Sequence, residues 1–547
     1  MTLTRGNSRE GVGGIGDLLA VALQLGAADF GGPLSRAEED LVRKASRSPA
    51  DQSVAQEWRA RILENEDPFG DELTRIRTVE TRRQLGQFLT PNALVSHITG
   101  WVLDRHPARV VDVGSGTGRF AGAVSPGHGV SVIAIDNDAV STLLTRARLA
   151  VLGSTGARVI QADYLTMTLS PVEGRTAFLG NPPYVRHHRL PAEVKDWGVF
   201  AARQFGLTGS RLAGLHALFF LATAMKAKPG DLCAFLTSSE WFDVNYGEIV
   251  RSLFVRELGG VRLDVVPPAG AAFDDAMTTA TVSFCEVGSQ EDFVEIRRLA
   301  LPGEVRPPRS PVFIRRADLA ASQNWSRLLE TGIPEGKSNQ ASLGHFFRVH
   351  RGVVTGANDF FLLSRVEAER LGLLRWCRPA ITSAQEILES NGVILDGPDR
   401  RLLLDIPADL DRRAHPELDA YLKRGESAEE GGTPICGRYI ARHRRPWWSV
   451  GHQGVPPVVV TYMARKPPLF ATNPDGLALI NVAHGIYPSS PVPLERLEQL
   501  VRALNSRRGE LSGFGRTYQG GLQKLEPREV ERLAIPDELV AELGLPA

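Results

Sequence analysis

The chain has 547 residues, with 63 Lys and Arg balanced by 63 Asp and Glu. Its hydrophobic content of 43% and charged content of 23% are typical of globular proteins and argue against disordered, fibrous and membrane-embedded classes. At this length we expect two large domains with additional segments, and the balanced charge means that any attraction to phosphate must be local.

The N-terminus and the cysteines bear on the cellular compartment. The first ten residues lack the apolar run and small-residue cleavage site of a signal peptide. The four cysteines lie far apart without paired spacing, so we expect neither disulfides nor a zinc site. The longest apolar stretch, residues 214–225, falls short of the roughly 20 residues that span a bilayer. These features predict a cytoplasmic enzyme with no metal and no membrane association.

Residues 1–75 are polar with short helical patterns, and they predict a helical extension without identifiable chemistry. From about residue 90 to 300, strand-like runs alternate with helical ones, which predicts an α/β domain over residues 76–300 with a doubly wound, mostly parallel sheet. Residues 281–287 and 294–299 are expected to pair as an antiparallel edge. The predicted strands are 109–114, 131–136, 157–163, 177–181, 232–238 and 261–267. The predicted helices are 139–152, 213–226 and 247–257.

The first predicted strand runs into a glycine loop and then a helix. Gly114, Gly116 and Gly118 have the spacing G-x-G-x-G, and Arg119 occupies the third glycine position of the dinucleotide fingerprint. Glycines let the backbone turn tightly and approach a ligand at the carboxyl end of a strand. Asp112, two residues before the first glycine, suits the cationic amino-acid end of S-adenosylmethionine better than a pyrophosphate.

Acidic residues also end the next two predicted strands. Asp136 can accept hydrogen bonds from both ribose hydroxyls of a nucleotide-like cofactor. Asp163 can accept a hydrogen bond from the cofactor adenine's amine. Three acids at three successive strand ends point to one cofactor site, whereas the alternative interpretation is that each acid caps the helix that follows it.

The fourth predicted strand ends in Gly180-Asn181-Pro182-Pro183-Tyr184. With the glycine loop before it and a large domain after it, this motif resembles the gamma class of DNA adenine-N6 methyltransferases of restriction–modification systems. The resemblance is strong over residues 80–300 and looser over 343–535. It implies S-adenosylmethionine as the methyl donor and double-stranded DNA as the substrate. Residues 1–75 hold no recognisable nuclease signature, so a cognate restriction endonuclease is expected to be a separate polypeptide.

The motif has a chemical rationale of its own. An exocyclic aromatic amine is a poor nucleophile because its lone pair is delocalised into the ring. The side-chain oxygen of Asn181 and the backbone carbonyl of Pro182 can accept its two hydrogens and direct the lone pair at a methyl group. The base must leave the duplex at a cost of a few kcal/mol, and each aromatic face returns about 1–3 kcal/mol by stacking. Tyr184 offers one such face, and Phe273 matches the family's second stacking aromatic.

Two further segments match the family. Residues 85–91 resemble the segment that closes over the methionine end of the cofactor, and the matching positions are Phe88, Thr90 and Pro91. Thr90 is also a candidate N-cap for the following helix. Residues 236–242 match the strand-end loop that shapes the base pocket.

A second domain is predicted over residues 343–547, after a proline-rich linker at 301–342. It is rich in Arg, Trp and Pro without a βαβ rhythm, which predicts a mixed α+β domain. Residues 351–361 and 515–527 resemble the segments that bracket the family's recognition domain. Between them, residues 438–448 form a basic and aromatic cluster that predicts DNA contacts, with a solvated surface turn as the alternative. The candidate DNA-binding residues are Arg438, Arg442, Arg444 and Arg445.

Other functions remain open at this stage. The same motif serves methyltransferases that act on RNA bases or on protein glutamine, because these also present a planar nitrogen. Cytosine N4 is a further target, although enzymes acting there more often have Ser or Asp in place of Asn181. A catalytically silent DNA-binding protein is the remaining alternative, and the intact acidic and aromatic positions argue against it.

Overall fold

The structure is a computed structural model that describes residues 13–124, 129–266, 280–299, 310–331, 341–427, 432–451, 454–464, 467–508, 516–518, 522–535 and 537–542. The chain divides into two compact units, Met1–Pro334 and Glu335–Ala547. Within the described residues, no helix has the length and apolar character needed to cross a membrane.

The first unit contains helices before, between and after the strands of one sheet. Its helices are α1 (Ile15–Gln24), α2 (Arg36–Ala45), α3 (Gln52–Leu63), α4 (Pro68–Ile76), α5 (Val79–Leu85), α6 (Asn92–Leu103), α7 (Arg119–Val124), α8 (Ala139–Val151), α9 (Ala192–Gln204), α10 (Leu215–Lys226), α11 (Glu248–Val255), α12 (Arg316–Ala321) and α13 (Trp325–Thr331). Its strands are β1 (Arg109–Val113), β2 (Ser131–Asp136), β3 (Arg158–Gln161), β4 (Thr176–Gly180), β5 (Leu232–Ser238), β6 (Gly260–Val266), β7 (Ala280–Glu286), β8 (Phe293–Arg298) and β9 (Val312–Arg315).

These described strands form a single sheet in the order β3-β2-β1-β4-β5-β7-β6-β8-β9. The pairs β2-β3, β1-β2, β1-β4 and β4-β5 are all parallel, which confirms the predicted doubly wound α/β sheet. The chain runs outward from β1 through β2 to β3 and then returns to β4 on the other side of β1. This reversal opens a crevice at the carboxyl ends of β1 and β4, where open α/β sheets bind ligands.

Helices cover both faces of the sheet. Val111 and Val113 of β1 belong to the apolar cluster that includes α10, whereas Val110 belongs to the cluster that includes α6. Successive residues of a strand point to opposite faces, so every residue of β1 is buried. The continuous apolar run of this strand is the pattern expected of a parallel strand covered on both sides.

The predicted pairing of residues 281–287 with 294–299 is wrong. β7 lies between β5 and β6 and is antiparallel to both, while β8 runs parallel to β6. β7 is buried continuously from Ala280 to Cys285, which suits an inner strand rather than one half of an edge hairpin. Hydrophobic alternation identifies strands, but it does not identify their partners.

Part of the predicted linker, residues 301–342, belongs to the first unit. β9 pairs antiparallel with β8. Trp325 in α13 is fully buried, with its ring centroid 5.5 Å from that of Trp241 and 5.8 Å from that of Phe254. The prolines of this segment indicated a linker, but proline is also tolerated beside an edge strand such as β9.

The N-terminal helices pack onto α8. Leu18 of α1 and Leu143 of α8 lie in the same buried cluster. The fully buried Arg146 of α8 pairs with Glu38 at 2.9 Å and donates hydrogen bonds to three carbonyls of residues 30–33. These contacts fix the N-terminal helices to the sheet-bearing part of the unit.

The second unit is a mixture of short helices and small sheets, which confirms the predicted α+β class. Its helices are α14 (Leu343–Phe346), α15 (Asn358–Phe361), α16 (Arg365–Arg370), α17 (Ala384–Leu388), α18 (Pro416–Glu426), α19 (Tyr439–Arg442), α20 (Leu494–Ser506), α21 (Pro527–Glu531) and α22 (Asp537–Glu542). Its strands are β10 (Phe347–Arg351), β11 (Leu362–Leu363), β12 (Cys377–Ile381), β13 (Leu402–Leu404), β14 (Val458–Thr461), β15 (Met463–Ala464), β16 (Phe470–Thr472), β17 (Ala478–Leu479), β18 (Ala483–Pro488), β19 (Arg516–Tyr518) and β20 (Leu522–Lys524). They form sheets in the orders β10-β18-β14-β16, β11-β13-β12-β17 and β15-β20-β19.

Candidate active site

A cavity of about 590 Å³ opens at the carboxyl ends of the parallel strands. Its walls include residues 114–117 after β1, 136–138 after β2, 162–165 after β3 and Asn181 after β4, together with residues 73–74 of α4. The volume lies within the range of about 300–1,000 Å³ that is usual for small-molecule sites. The four strand ends that the sequence singled out therefore meet at one cavity.

The glycine loop presents bare backbone to this cavity. Gly116 has a φ of +56°, and a Cβ built on it meets nothing within 4 Å. Its N–H donates to Oδ2 of Asp136 at 2.9 Å, and its carbonyl accepts from the Thr145 hydroxyl at 2.9 Å. The loop is thus held from below by β2 and α8 while its upper side stays open to a ligand.

Asp112 supports the glycine loop instead of lining the cavity. Its side chain is fully buried, and its Oδ2 accepts a hydrogen bond from the N–H of Ala121 at 2.9 Å, in the first turn of α7. Burial, reinforced by the charge of Asp136, raises its pKa to about 7. The helix-capping interpretation therefore describes Asp112. Gly118, Pro91, Pro182 and Tyr184 also lie outside the set of residues that form the cavity walls.

Asp136 and Asp163, two of the predicted cofactor-binding residues, both line the cavity. Asp136 accepts a second backbone hydrogen bond, from the N–H of Asp138 at 2.9 Å. Burial raises the pKa of Asp136 to about 6 despite these hydrogen bonds. Asp163 is exposed at the end of β3, where its Oδ1 accepts from the N–H of Leu165 at 3.0 Å.

The side chain of Asn181 has a defined orientation. Its Nδ2 donates to the carbonyl of Phe88 at 3.1 Å and to Oγ1 of Thr90 at 3.2 Å. Because a carbonyl can only accept, the nitrogen must face Phe88 and the oxygen must face away. This Oδ1 is buried and has no hydrogen-bond partner within the described residues. A buried polar atom without a partner costs about 1–3 kcal/mol, so the geometry favours a ligand that brings a donor.

Residues 85–91 are in backbone contact with the motif. Gly86, at a φ of +66°, lies so close to it that an added Cβ would be 2.6 Å from the backbone nitrogen of Tyr184. The carbonyl of Gly86 accepts a hydrogen bond from that nitrogen at 3.3 Å. The predicted capping role of Thr90 is wrong, because Pro91 is the N-cap of α6 and the Thr90 hydroxyl binds Asn181.

Tyr184 is held between aromatic neighbours and the end of β5. Its hydroxyl donates to the carbonyl of Leu236 at 3.3 Å, and its ring meets that of Phe88 edge-on at 5.5 Å. Burial raises its pKa. His216, which the sequence did not single out, lies 6.4 Å from this ring, and burial lowers its pKa to about 4. The predicted second stacking residue, Phe273, lies outside the described residues.

The N-terminal segment supports the glycine loop through Asp67, a contact that was not predicted from the sequence. Asp67 is buried and accepts from the Thr117 hydroxyl and from Nε of Arg119, both at 2.6 Å. Burial alone would raise its pKa, but the charges of Arg148 and Arg119 outweigh burial and hold the pKa below its usual value. Asp67 thereby ties the N-terminal segment to the glycine loop, and the helices α1 to α4 agree with the predicted helical extension. In the sequence around Asp67, the Asp-Pro pair indicates only that a helix begins there.

The arginines predicted to contact DNA differ in exposure. Arg438, Arg442 and Arg445 are exposed in the second unit. Arg444 is half-buried and donates to the carbonyl of Val354, and burial lowers its pKa. Arg444 therefore supports the packing of its own unit, while the other three remain predicted DNA contacts.

Comparison with known proteins gives consistent matches. Residues 333–544 match the family model described as the C-terminal domain of the type II methyltransferase M.Eco57I. The chain is 38% identical over 504 residues to the type II methyltransferase M.XamI of Xanthomonas campestris pv. amaranthicola, covering 91% of each. It is 21% identical over 477 residues to the type II methyltransferase M.AccI of Acinetobacter calcoaceticus, covering 83% of this chain and 86% of that one.

Among solved structures, the type IIL restriction-modification enzyme MmeI in complex with DNA superimposes with a TM-score of 0.56 at 13% identity. The match covers 86% of this chain and 70% of that chain. At this level of identity the likeness concerns the fold, which the two proteins share.

Proposed function

The chain belongs to the type II methyltransferases, the DNA methyltransferases of restriction–modification systems, and we propose that it methylates the N6 amine of an adenine swung out of duplex DNA, with S-adenosylmethionine as the methyl donor. The observation that carries this proposal is the buried Oδ1 of Asn181, which has no hydrogen-bond partner among the described residues and belongs to a residue that lines the cavity. An amine hydrogen supplies the donor that this oxygen lacks.

The cavity fits S-adenosylmethionine. Gly116 has no side chain, and a Cβ built on it would meet nothing within 4 Å, which leaves room for the close approach of a ligand. The carboxylate of Asp136 would accept from ribose hydroxyls, and that of Asp163 from the cofactor's adenine amine. Phe88 and Thr90, which also line the cavity, would close the methionine end. When bound, the cofactor supplies a sulfonium methyl that is already activated for transfer.

The residues of the motif would position and polarise the target amine. Oδ1 of Asn181 and the carbonyl of Pro182 would accept its two hydrogens, which frees the nitrogen lone pair from the ring. As the nitrogen gains a fourth bond it becomes positive, and two fixed oxygen dipoles stabilise that charge before the proton leaves for solvent. The hydrogen bonds from Asn181 to Phe88 and Thr90 would keep this geometry rigid. Holding the amine in line with the methyl group would then account for much of the rate enhancement. Tyr184 would stack on the extruded base.

Two observations support adenine in DNA over the alternatives. Asn181 stands where enzymes acting on cytosine N4 more often carry Ser or Asp. The second unit matches a type II methyltransferase domain over 333–544, and its exposed Arg438, Arg442 and Arg445 would contact the duplex. We therefore propose residues 343–547 as the recognition domain. Methyl transfer to RNA or to protein glutamine remains the second candidate.

The test is methyl transfer from labelled S-adenosylmethionine by the purified chain. Plasmid DNA, total cellular RNA and a protein extract are offered in parallel, and labelled nucleosides are identified by mass spectrometry after digestion. We expect label in DNA as N6-methyladenine. Label in RNA, in protein or in N4-methylcytosine would contradict the proposal.

Cofactor affinity is expected to depend on pH through Asp136. Its carboxylate form accepts hydroxyl donors, and burial raises its pKa to about 6. Affinity should therefore be full well above pH 6, where the carboxyl group is ionised, and fall as the pH drops through about 6, because protonation removes an acceptor. Calorimetric titration between pH 5 and 8 measures this, with Asp136→Asn as the comparison. The variant should bind weakly with a flat profile, and an unchanged profile would contradict the role of Asp136.

A further inference from the structure

A basic turn follows the catalytic motif directly. Residues 186–189 read Arg-His-His-Arg, and His187–Arg189 form a short 3₁₀ helix between the motif and α9. We call residues 186–189 the basic turn. It begins five residues after Asn181, which limits the separation of the two Cα atoms to roughly 17 Å. Its last residue, Arg189, is itself part of the cavity wall.

Three of the four side chains of the basic turn are exposed. Arg186 and His188 are exposed, and neither has an acidic partner within the part of the chain that the structure describes. Arg189 forms an exposed ion pair with Glu80 at 3.0 Å. Lys195 of α9 adds a further positive charge. Exposed side chains without an internal partner are solvated by water, so no interaction within the protein has to be broken before they bind an anionic partner.

Like charges are crowded at this turn. Burial lowers the pKa of His187, and the positive charges of His188, Lys195 and Arg186 lower it further. The acidic side chains close by in sequence do not remove this excess, since Asp196 is already engaged by Arg211. Glu193 is the remaining acid in the first turn of α9. A concentration of one sign beside a catalytic loop attracts ligands of the opposite sign.

We propose that the basic turn binds backbone phosphates of the DNA strand that carries the target adenine, next to the extruded nucleotide. This inference rests on the proposed function, since a base held at Asn181 brings its own sugar-phosphate chain past the motif. Arg186 and His188 are the nearest exposed side chains downstream of the motif that can donate a hydrogen bond to a phosphate. The contact is independent of base identity, because phosphates carry no sequence information.

The test compares salt dependence of DNA binding in matched variants. Arg186→Gln combined with His188→Gln removes the exposed donors, while Arg175→Gln removes an exposed arginine at the opposite, amino end of β4. The probe is a fluorescent duplex carrying the sequence that methylation mapping identifies. Each phosphate contact that the double variant loses should weaken binding about 10-fold near physiological salt and lower the log–log salt slope by about 1. The Arg175 variant should match the wild type in both.

Other readouts separate this inference from its premise. If the wild type methylates DNA but the double variant keeps the wild-type slope, the inference is overturned and the proposed function stands. If the wild type methylates no DNA, the proposed function itself fails. Arg186→Lys combined with His188→Gln preserves the charge at 186 and should give a steeper slope than the double Gln variant, whereas equal slopes and affinities in these two variants would indicate a structural role for Arg186 and overturn the inference. Tighter binding to duplex RNA of the same sequence would overturn the assignment to DNA.

Discussion

Replacing Asn181 by alanine is expected to lower kcat by at least about 100-fold while the Kd for S-adenosylmethionine changes by less than about twofold. Loss of one preorganised polar group that stabilises transition-state charge costs about 10²–10³ in kcat. The substitution removes Oδ1, the proposed acceptor for the amine, and also the hydrogen bonds to Phe88 and Thr90. Single-turnover methylation and calorimetric cofactor binding measure the two quantities.

Two variants separate the chemistry of Asn181 from its positioning. Thr90→Val removes one of the two acceptors that orient the amide, so we expect a smaller loss of kcat than for Asn181→Ala. Asn92→Ala, at an exposed asparagine that bonds the carbonyl of Asn65, should leave the rate unchanged. A wild-type rate in Asn181→Ala would show that this side chain does not hold the amine.

The second large effect is expected for stability, from Arg146→Leu. Arg146 is fully buried, pairs with Glu38 at 2.9 Å and donates to several backbone carbonyls. Removing it leaves a buried carboxylate without its partner charge, which costs about 3–5 kcal/mol of the free energy of unfolding. Urea unfolding should show the loss as a lower midpoint for the first unit.

The matched control is Arg43→Ala, which removes an exposed arginine that pairs with Asp40 on the surface of α2. Exposed pairs contribute about 0–1 kcal/mol, so its midpoint should stay close to that of the wild type. Equal midpoints for Arg146→Leu and Arg43→Ala would mean that the N-terminal helices do not depend on the buried ion pair.

The sequence predicted the parts of the fold that depend on local patterns. The strands β1, β2 and β5 match their predicted bounds within one residue, because a strand buried on both faces appears as an uninterrupted apolar run. It was also predictable that the strand ends carrying Asp136, Asp163 and Asn181 lie close together, because parallel strands bring their carboxyl ends to one edge of the sheet.

The features that the sequence did not predict depend on distant contacts. Asp67 meets the glycine loop across about 50 residues of chain, and nothing in its immediate surroundings indicates that partner. The position of β7 between β5 and β6 was not predictable either, because hydrophobic periodicity does not determine which strands pair. Arg444 appeared to be a surface cation because its neighbours are basic, whereas the fold uses it to bind the carbonyl of Val354.

Modification-sensitive sequencing of DNA from cells that express the wild-type chain or its Asn181→Ala variant tests most directly whether Asn181 holds the adenine amine. We expect N6-methyladenine at one recurring sequence in cells with the wild type, and unmodified adenine at that sequence in cells with the variant. Methylated cytosine, unmodified DNA with the wild type, or equal methylation with both chains would contradict it.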